Sequence, residues 1–377
     1  MTVSADLVIF WAVILARVLV PLTIPRYPLP GILAALVLDA VDQTVFQALT
    51  GVTFAGYQGY DKALDIYYLA IAYIATLRNW TNFAAVRISR FLFYYRLVGV
   101  VMFEMLQFRW LLLLFPNVFE YFFIFYEVYR LRWDPRRLSA KTLAGVAAFI
   151  WIVIKLPQEY WIHVAQLDVT DALKGALGYP QAVSWGAIIS ANAGLFILVF
   201  ALLAAILYFA WRWIARRLPP ADWAVSFEPD AHLERPVDAW LFRTSRVLAN
   251  RFLDTELFEK TALVSLLVII FAHILPGIRS TDWELALAIL VVIIVNTLVS
   301  EWLARRGVTW PKALRQGVVM FMVNLPIFLA VSYVRYGSYT LAALTNIVLF
   351  VLLLSLIITL YDRYRPIYLV RFYGYRY

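Results

Sequence analysis

Eleven apolar segments, each long enough to cross a bilayer, set the terms for this 377-residue chain. They run over residues 7–24, 30–46, 61–77, 91–107, 110–129, 142–164, 185–211, 261–277, 283–303, 316–334 and 339–361. A bilayer's hydrocarbon core is about 30 Å thick, and a helix crosses it with about 20 apolar residues. The expected fold is therefore all-α, a polytopic membrane helix bundle of about 11 transmembrane helices. Composition agrees: the chain is 63% hydrophobic and 15% charged, whereas soluble domains are roughly 45–50% apolar and about 25% charged.

The joints between segments alternate in charge. One set carries 25 of the 33 Lys and Arg, from Arg26 to Arg376, and the other only Lys62, Arg109, Lys174, Arg279 and Arg335. Cytoplasmic joints carry an excess of Lys and Arg. The N-terminus is thus expected outside and the C-terminus in the cytoplasm, in a plasma or inner membrane. This asymmetry accounts for the net charge of +9 and excludes nucleic acid as a partner. The expected partners are the bilayer itself, anionic lipids at the cytoplasmic face, and further copies or subunits of a membrane complex. With no Cys, disulfides, iron–sulfur clusters and thiol chemistry are excluded. Met1 to Asp6 lacks a basic stretch, so the first segment reads as an uncleaved helix rather than a signal peptide.

Residues 1–211 form a seven-helix unit and 261–377 a four-helix unit with a basic, tyrosine-rich tail. Between them, 212–260 is a cytoplasmic connector, in which Val237, Trp240, Leu241, Val247, Leu248 and Phe252 fall at helical spacing with arginines between them. That pattern predicts an amphipathic helix at the inner membrane surface. Tyr361, Tyr364 and Tyr368, interleaved with Arg363, Arg365 and Arg371, read as headgroup anchors.

Ionisable residues inside a bilayer are costly and mark interior faces or wet cavities. Lys155, Glu159 and His163 lie four apart and form one helical stripe, continued by Gln166 and broken by Pro157. With Glu104 near the same face, they could line an outward-facing vestibule that passes a proton or holds a charged solute. Arg96 and Glu120 are nearly equidistant from the turn around Gln107–Arg109, which predicts a structural ion pair, with Arg90 near Glu127 below it. Asn324 with Pro326 is the best candidate for a broken helix, and the other lone Asn residues read as contacts between helices.

A second cluster is purely acidic. Asp39 and Asp42 are three apart on one helix, and Asp61 and Asp65 four apart on the next. Converging, they could hold a divalent cation through oxygen ligands, or need a basic partner such as Lys62. The stretch Asp39-Ala-Val-Asp42, Gly56, Asp61-Lys-Ala-Leu-Asp65 resembles the metal motif of the CDP-alcohol phosphatidyltransferases, over residues 39–65 only. Gln43 stands where that motif has Gly, Phe46-Gln47 where it has Ala-Arg, and the last Asp pair comes one residue late. The resemblance implies a metal-dependent transfer on CDP-lipids, with Asp39, Asp42 and Asp61 as metal ligands and Asp65 as base.

Three functions stay open: a carrier or channel for a small solute or ion, a membrane-embedded metal-dependent transferase acting on a lipid or lipid-linked substrate, and a non-catalytic subunit of a membrane complex.

Overall fold

The computed structural model describes residues 3–49, 57–165, 169–180, 183–232, 255–274, 282–305, 313–336 and 340–373. Every regular element among them is helical. In chain order the helices are α1 (Val3–Leu19), α2 (Pro28–Leu49), α3 (Tyr57–Asn79), α4 (Phe83–Leu106), α5 (Trp110–Leu114), α6 (Val118–Arg130), α7 (Ala140–Phe149), α8 (Leu156–Glu159), α9 (Val169–Ala176), α10 (Trp185–Ala191), α11 (Ala193–Ala215), α12 (Thr255–Ile274), α13 (Asp282–Arg305), α14 (Ala313–Tyr336) and α15 (Leu341–Tyr373). The described parts of the eleven apolar segments fall mainly on these helices or on runs of them. Among the described residues, six spans are long and apolar enough to cross a membrane: Ala5–Thr23, Trp110–Arg130, Ala140–Val164, Ala193–Ala215, Arg315–Tyr333 and Ala343–Phe372. α2, α3 and α4 are as long but carry the charged residues described below.

Local chemistry sets the helix ends. Asn82, Asn117, Ser139 and Ser184 each accept a hydrogen bond from a backbone N–H in the first turn of the helix that follows, satisfying donors that have no partner within the helix. Gln107 closes α4 in the left-handed region at φ 52°. Gly99 lets α4 meet the end of α5: a Cβ there would lie 2.1 Å from Cβ of Phe115. The expected break at Pro157 takes the form of π-helix on both sides, over Ile150–Lys155 and Tyr160–Val164. Proline removes a backbone donor, and a wider helical turn absorbs the mismatch. α14, by contrast, runs continuously through Pro326, so the break expected at Asn324 is absent. Asn324 donates to Ser355 at 2.9 Å and exchanges hydrogen bonds with Asn296, which ties α13, α14 and α15 together.

α3 is the centre of the molecule. From Ala63 to Leu77 its residues are almost all buried, with α1, α2, α4, α12 and α15 around it. The two membrane units expected on either side of the connector therefore share one hydrophobic core. The amphipathic connector helix expected over 237–252 lies outside the described residues. Much of the tyrosine–arginine tail packs against the bundle. Tyr361 and Tyr368 are buried, Arg365 reaches Glu259 at 3.0 Å, and Arg371 donates to the carbonyls of Trp80 and Arg78. Helix α15 continues to Tyr373 and carries these groups into the bundle.

Candidate functional site

Arg17 lies near the end of α1. Helical side chains lean toward the helix N-terminus, which brings its guanidinium level with the acids of α2 and α3. Asp39 and Asp42 share one face of α2, and Asp61 and Asp65 one face of α3. All four carboxylates close on this one guanidinium. Nη1 donates to Asp42 and, at 2.5 Å, to Asp61, while Nη2 donates to Asp39 at 2.5 Å and to Asp65 at 2.6 Å. Tyr57, in the first turn of α3, accepts from Nη1 at 3.0 Å and donates to Asp42. Phe10 and Phe46 flank the Tyr57 ring.

The acids thus converge, but the basic partner is Arg17 rather than Lys62. Lys62 points away and pairs with Glu104 at 2.9 Å. One guanidinium neutralises one carboxylate, so with all four acids ionised the cluster would carry excess negative charge. Asp42 is buried and its Oδ1 accepts no hydrogen bond among the described residues. Asp39, Asp61 and Asp65 are half-buried, and each offers a carboxylate oxygen within 4.8 Å of the others. Each carboxylate oxygen has further lone pairs beyond those bound to Arg17. The donor set is hard oxygen, which suits a hard cation; such an ion would share the cluster with a resident positive charge.

A line of ionisable groups leads away from the cluster. Tyr68, three residues after Asp65 on α3, donates to Glu120 at 2.5 Å. Asn117 donates to the same carboxylate at 3.0 Å. The Lys155 ammonium lies 4.0 Å from the centre of the Tyr121 ring, and Glu120 and Glu159 are the acids that act on it. Glu159 meets His163 at 3.1 Å. The stripe of Lys155, Glu159 and His163 therefore faces the bundle, with the first two buried and His163 partly open. Gln166, expected to continue it, lies outside the described residues.

Arg96 and Glu120 do not pair. Arg96 donates to the Phe115 carbonyl at 2.9 Å, and Glu120 takes Tyr68 and Asn117. The reason is local. The fifth apolar segment is not one helix, because Pro116 cannot donate and the chain restarts at Asn117. That break frees the Phe115 carbonyl for Arg96 and shifts the register across the hairpin. Arg90 is likewise not with Glu127. Glu127 holds Arg130 and the indole N–H of Trp80.

Arg90 belongs to a second buried cluster at the other end of α3 and α4. Glu259 of α12 sits between Arg90 at 3.3 Å and Arg365 at 3.0 Å, and accepts from Tyr73. Lys260 pairs with Asp362 beside it at 2.8 Å. Sequence reasoning missed this cluster, since its members come from four distant helices. It also missed Arg17 as the partner of the acids, although a lone arginine within an apolar segment signals a buried partner.

No known protein family, curated protein or solved structure matches this chain. Its function has to be argued from the geometry above.

Proposed function

We propose that the chain is an integral membrane carrier of a small cation, with Asp39, Asp61 and Asp65 as the binding carboxylates and Arg17 as their resident counter-ion. One observation carries this reading: four carboxylates gather on a single guanidinium, three of them reachable. A cation or proton that enters relieves the excess charge. The line Tyr68, Glu120, Lys155, Glu159 and His163 supplies a path of titratable groups from the cluster to the partly open imidazole, and Glu104 is held by Lys62. In this reading all eleven segments cross the membrane, the N-terminus is outside and the C-terminus is cytoplasmic, as the alternation of Lys and Arg implies.

The test is cation uptake by vesicles containing the purified chain, with thermal stability measured against Na⁺, K⁺, Mg²⁺, Mn²⁺ and Ca²⁺. Uptake, and stabilisation by one of these ions, should both vanish in Asp65→Asn and Asp39→Asn. An ion-independent protein that moves none of them would overturn the reading.

The convergence of the same four acids favours one second reading, the metal-dependent transferase implied by the resemblance of residues 39–65. Mg²⁺- or Mn²⁺-dependent release of CMP from a CDP-lipid, lost in Asp65→Asn, would decide for it over the carrier.

A further inference from the structure

The exposed face of α4 carries an open groove of about 350 Å³, lined by Arg87, Arg90, Phe91, Tyr94, Tyr95 and Val98. The spacing of these residues puts them along one side of the helix. The two arginines come first and the apolar and aromatic residues follow. From Arg87 to Val98 the groove runs about 16 Å at 1.5 Å per residue, which matches half of a hydrocarbon core about 30 Å thick.

Among the described residues, the arginine end carries positive charge that is open to the groove. Arg87 is exposed, rests over the Phe83 ring at 5.7 Å, and makes no hydrogen bond or ion pair among the described residues. Arg90 must share Glu259 with Arg365. Lys260 and Asp362 cancel each other nearby. Arg87 is therefore the guanidinium left open where the groove begins. Past the arginines the walls are rings and aliphatic carbon, and the Tyr95 hydroxyl is already committed to the Leu114 carbonyl at 2.7 Å.

We infer that this groove binds one anionic phospholipid, its phosphate at the exposed Arg87 and an acyl chain along Phe91, Tyr95 and Val98. The pattern of positive charge followed by one leaflet's depth of apolar surface fits a lipid rather than a free phosphate, which would leave the apolar length unused. The charge asymmetry of the joints places the arginine end in the cytoplasmic leaflet. The site is separate from the acidic cluster and stands whether or not the chain carries cations.

Native mass spectrometry of the full chain in detergent tests this, with phosphatidylglycerol and phosphatidylcholine of matched acyl chains as probes. Phosphatidylglycerol should be retained preferentially, and Arg87→Gln should lower that preference roughly fivefold, the effect of one arginine near an anionic surface. Val98→Trp, pointing outward and filling the groove, should reduce retention of phosphatidylglycerol while leaving the fold intact. Arg216→Gln, at the exposed end of α11, should change neither. Equal retention of the two lipids, an unchanged preference in Arg87→Gln, or an equal loss in Arg216→Gln would overturn the site. Displacement of the lipid by glycerol phosphate at equal concentration would do the same, because it would make the apolar wall irrelevant.

Discussion

Helices α3 and α11 are equally long, at 23 residues each, and opposite in both composition and position. α3 carries Asp61, Lys62, Asp65, Arg78 and five tyrosines, yet it is buried along most of its length. α11 has a single charged residue, Arg212, and no buried residue at all. In water the order would be reversed, since apolar surface is driven inward. In a bilayer the lipid tails are as apolar as leucine, and hydrophobicity no longer separates inside from outside. Polar groups do: they seek one another, and the helix that carries them becomes the centre. α11 packs against α10 and is exposed along most of its length, and the chain that follows it returns to the core through polar contacts. Trp133 donates to the Pro219 carbonyl at 3.1 Å, Trp223 donates to that of Arg130 at 3.0 Å, and Arg137 pairs with Asp222 at 2.7 Å.

If polar pairing centres α3, breaking it should do the most damage. Arg17→Met leaves four carboxylates without their cation and should destabilise the fold by about 3–5 kcal/mol, the range for disrupting a buried ion pair. Denaturant unfolding in mixed micelles measures this, and a loss below about 1 kcal/mol would mean the cluster does not hold α1 and α2 to α3. The next largest effect belongs to α11. Leu203→Arg places a charge near the middle of a lipid-facing helix, at roughly 2.5–3.5 kcal/mol on insertion scales. An unimpaired insertion efficiency in microsomes would show that α11 does not meet lipid there.

Small residues offer a milder test. Ala70→Leu adds volume at a fully buried position of α3 and should cost about 1–3 kcal/mol. Ala204→Leu on the exposed surface of α11 should stay within about 0.5 kcal/mol. Equal effects would erase the distinction between the two helices.

The smallest effect concerns the polar return from α11. Burial raises the Asp134 carboxyl less than its hydrogen bonds to Arg136 and the charges of Arg136 and Arg137 lower it, so it titrates below an ordinary aspartate. A carboxyl depressed in the folded state stabilises above its unfolded value, near 3.9, and loses that contribution as pH falls through the folded value. Asp134 is partly buried, but Arg136 and Arg137 are exposed, so screening should keep the effect under about 1 kcal/mol. Wild type and Asp134→Asn should differ in Tm at neutral pH and converge in acid. A gap that persists below about pH 3 would assign the difference to lost backbone capping.

The helices themselves were legible, because span length and apolar runs speak directly about a 30 Å solvent slab. So was the stripe of Lys155, Glu159 and His163, since helical spacing alone puts the three on one face. The convergence of Asp39, Asp42, Asp61 and Asp65 followed from their placement at neighbouring helix ends. What failed was pairing between helices. Equal distance from the turn pairs Arg96 with Glu120 only if both segments are unbroken helices, and Pro116 interrupts the second. Lys62 was nearer in sequence to the acids than Arg17, but it points off the cluster face toward Glu104. The Glu259 cluster was invisible because Arg90 and Arg365 meet only through packing of α3, α4, α12 and α15, which no local pattern encodes.

The guanidinium of α1 also has a bearing on how the chain is made. Arg17 precedes Asp39 by 22 residues and Asp65 by 48. At translation rates of about 5–20 residues per second, α1 emerges with its charge and waits roughly 1–10 seconds for the helices that neutralise it. During that interval it cannot be released into lipid as a finished span at low cost. The neutralised unit is complete only once α3 has emerged, so α1 gains its full complement of partners last of the three helices.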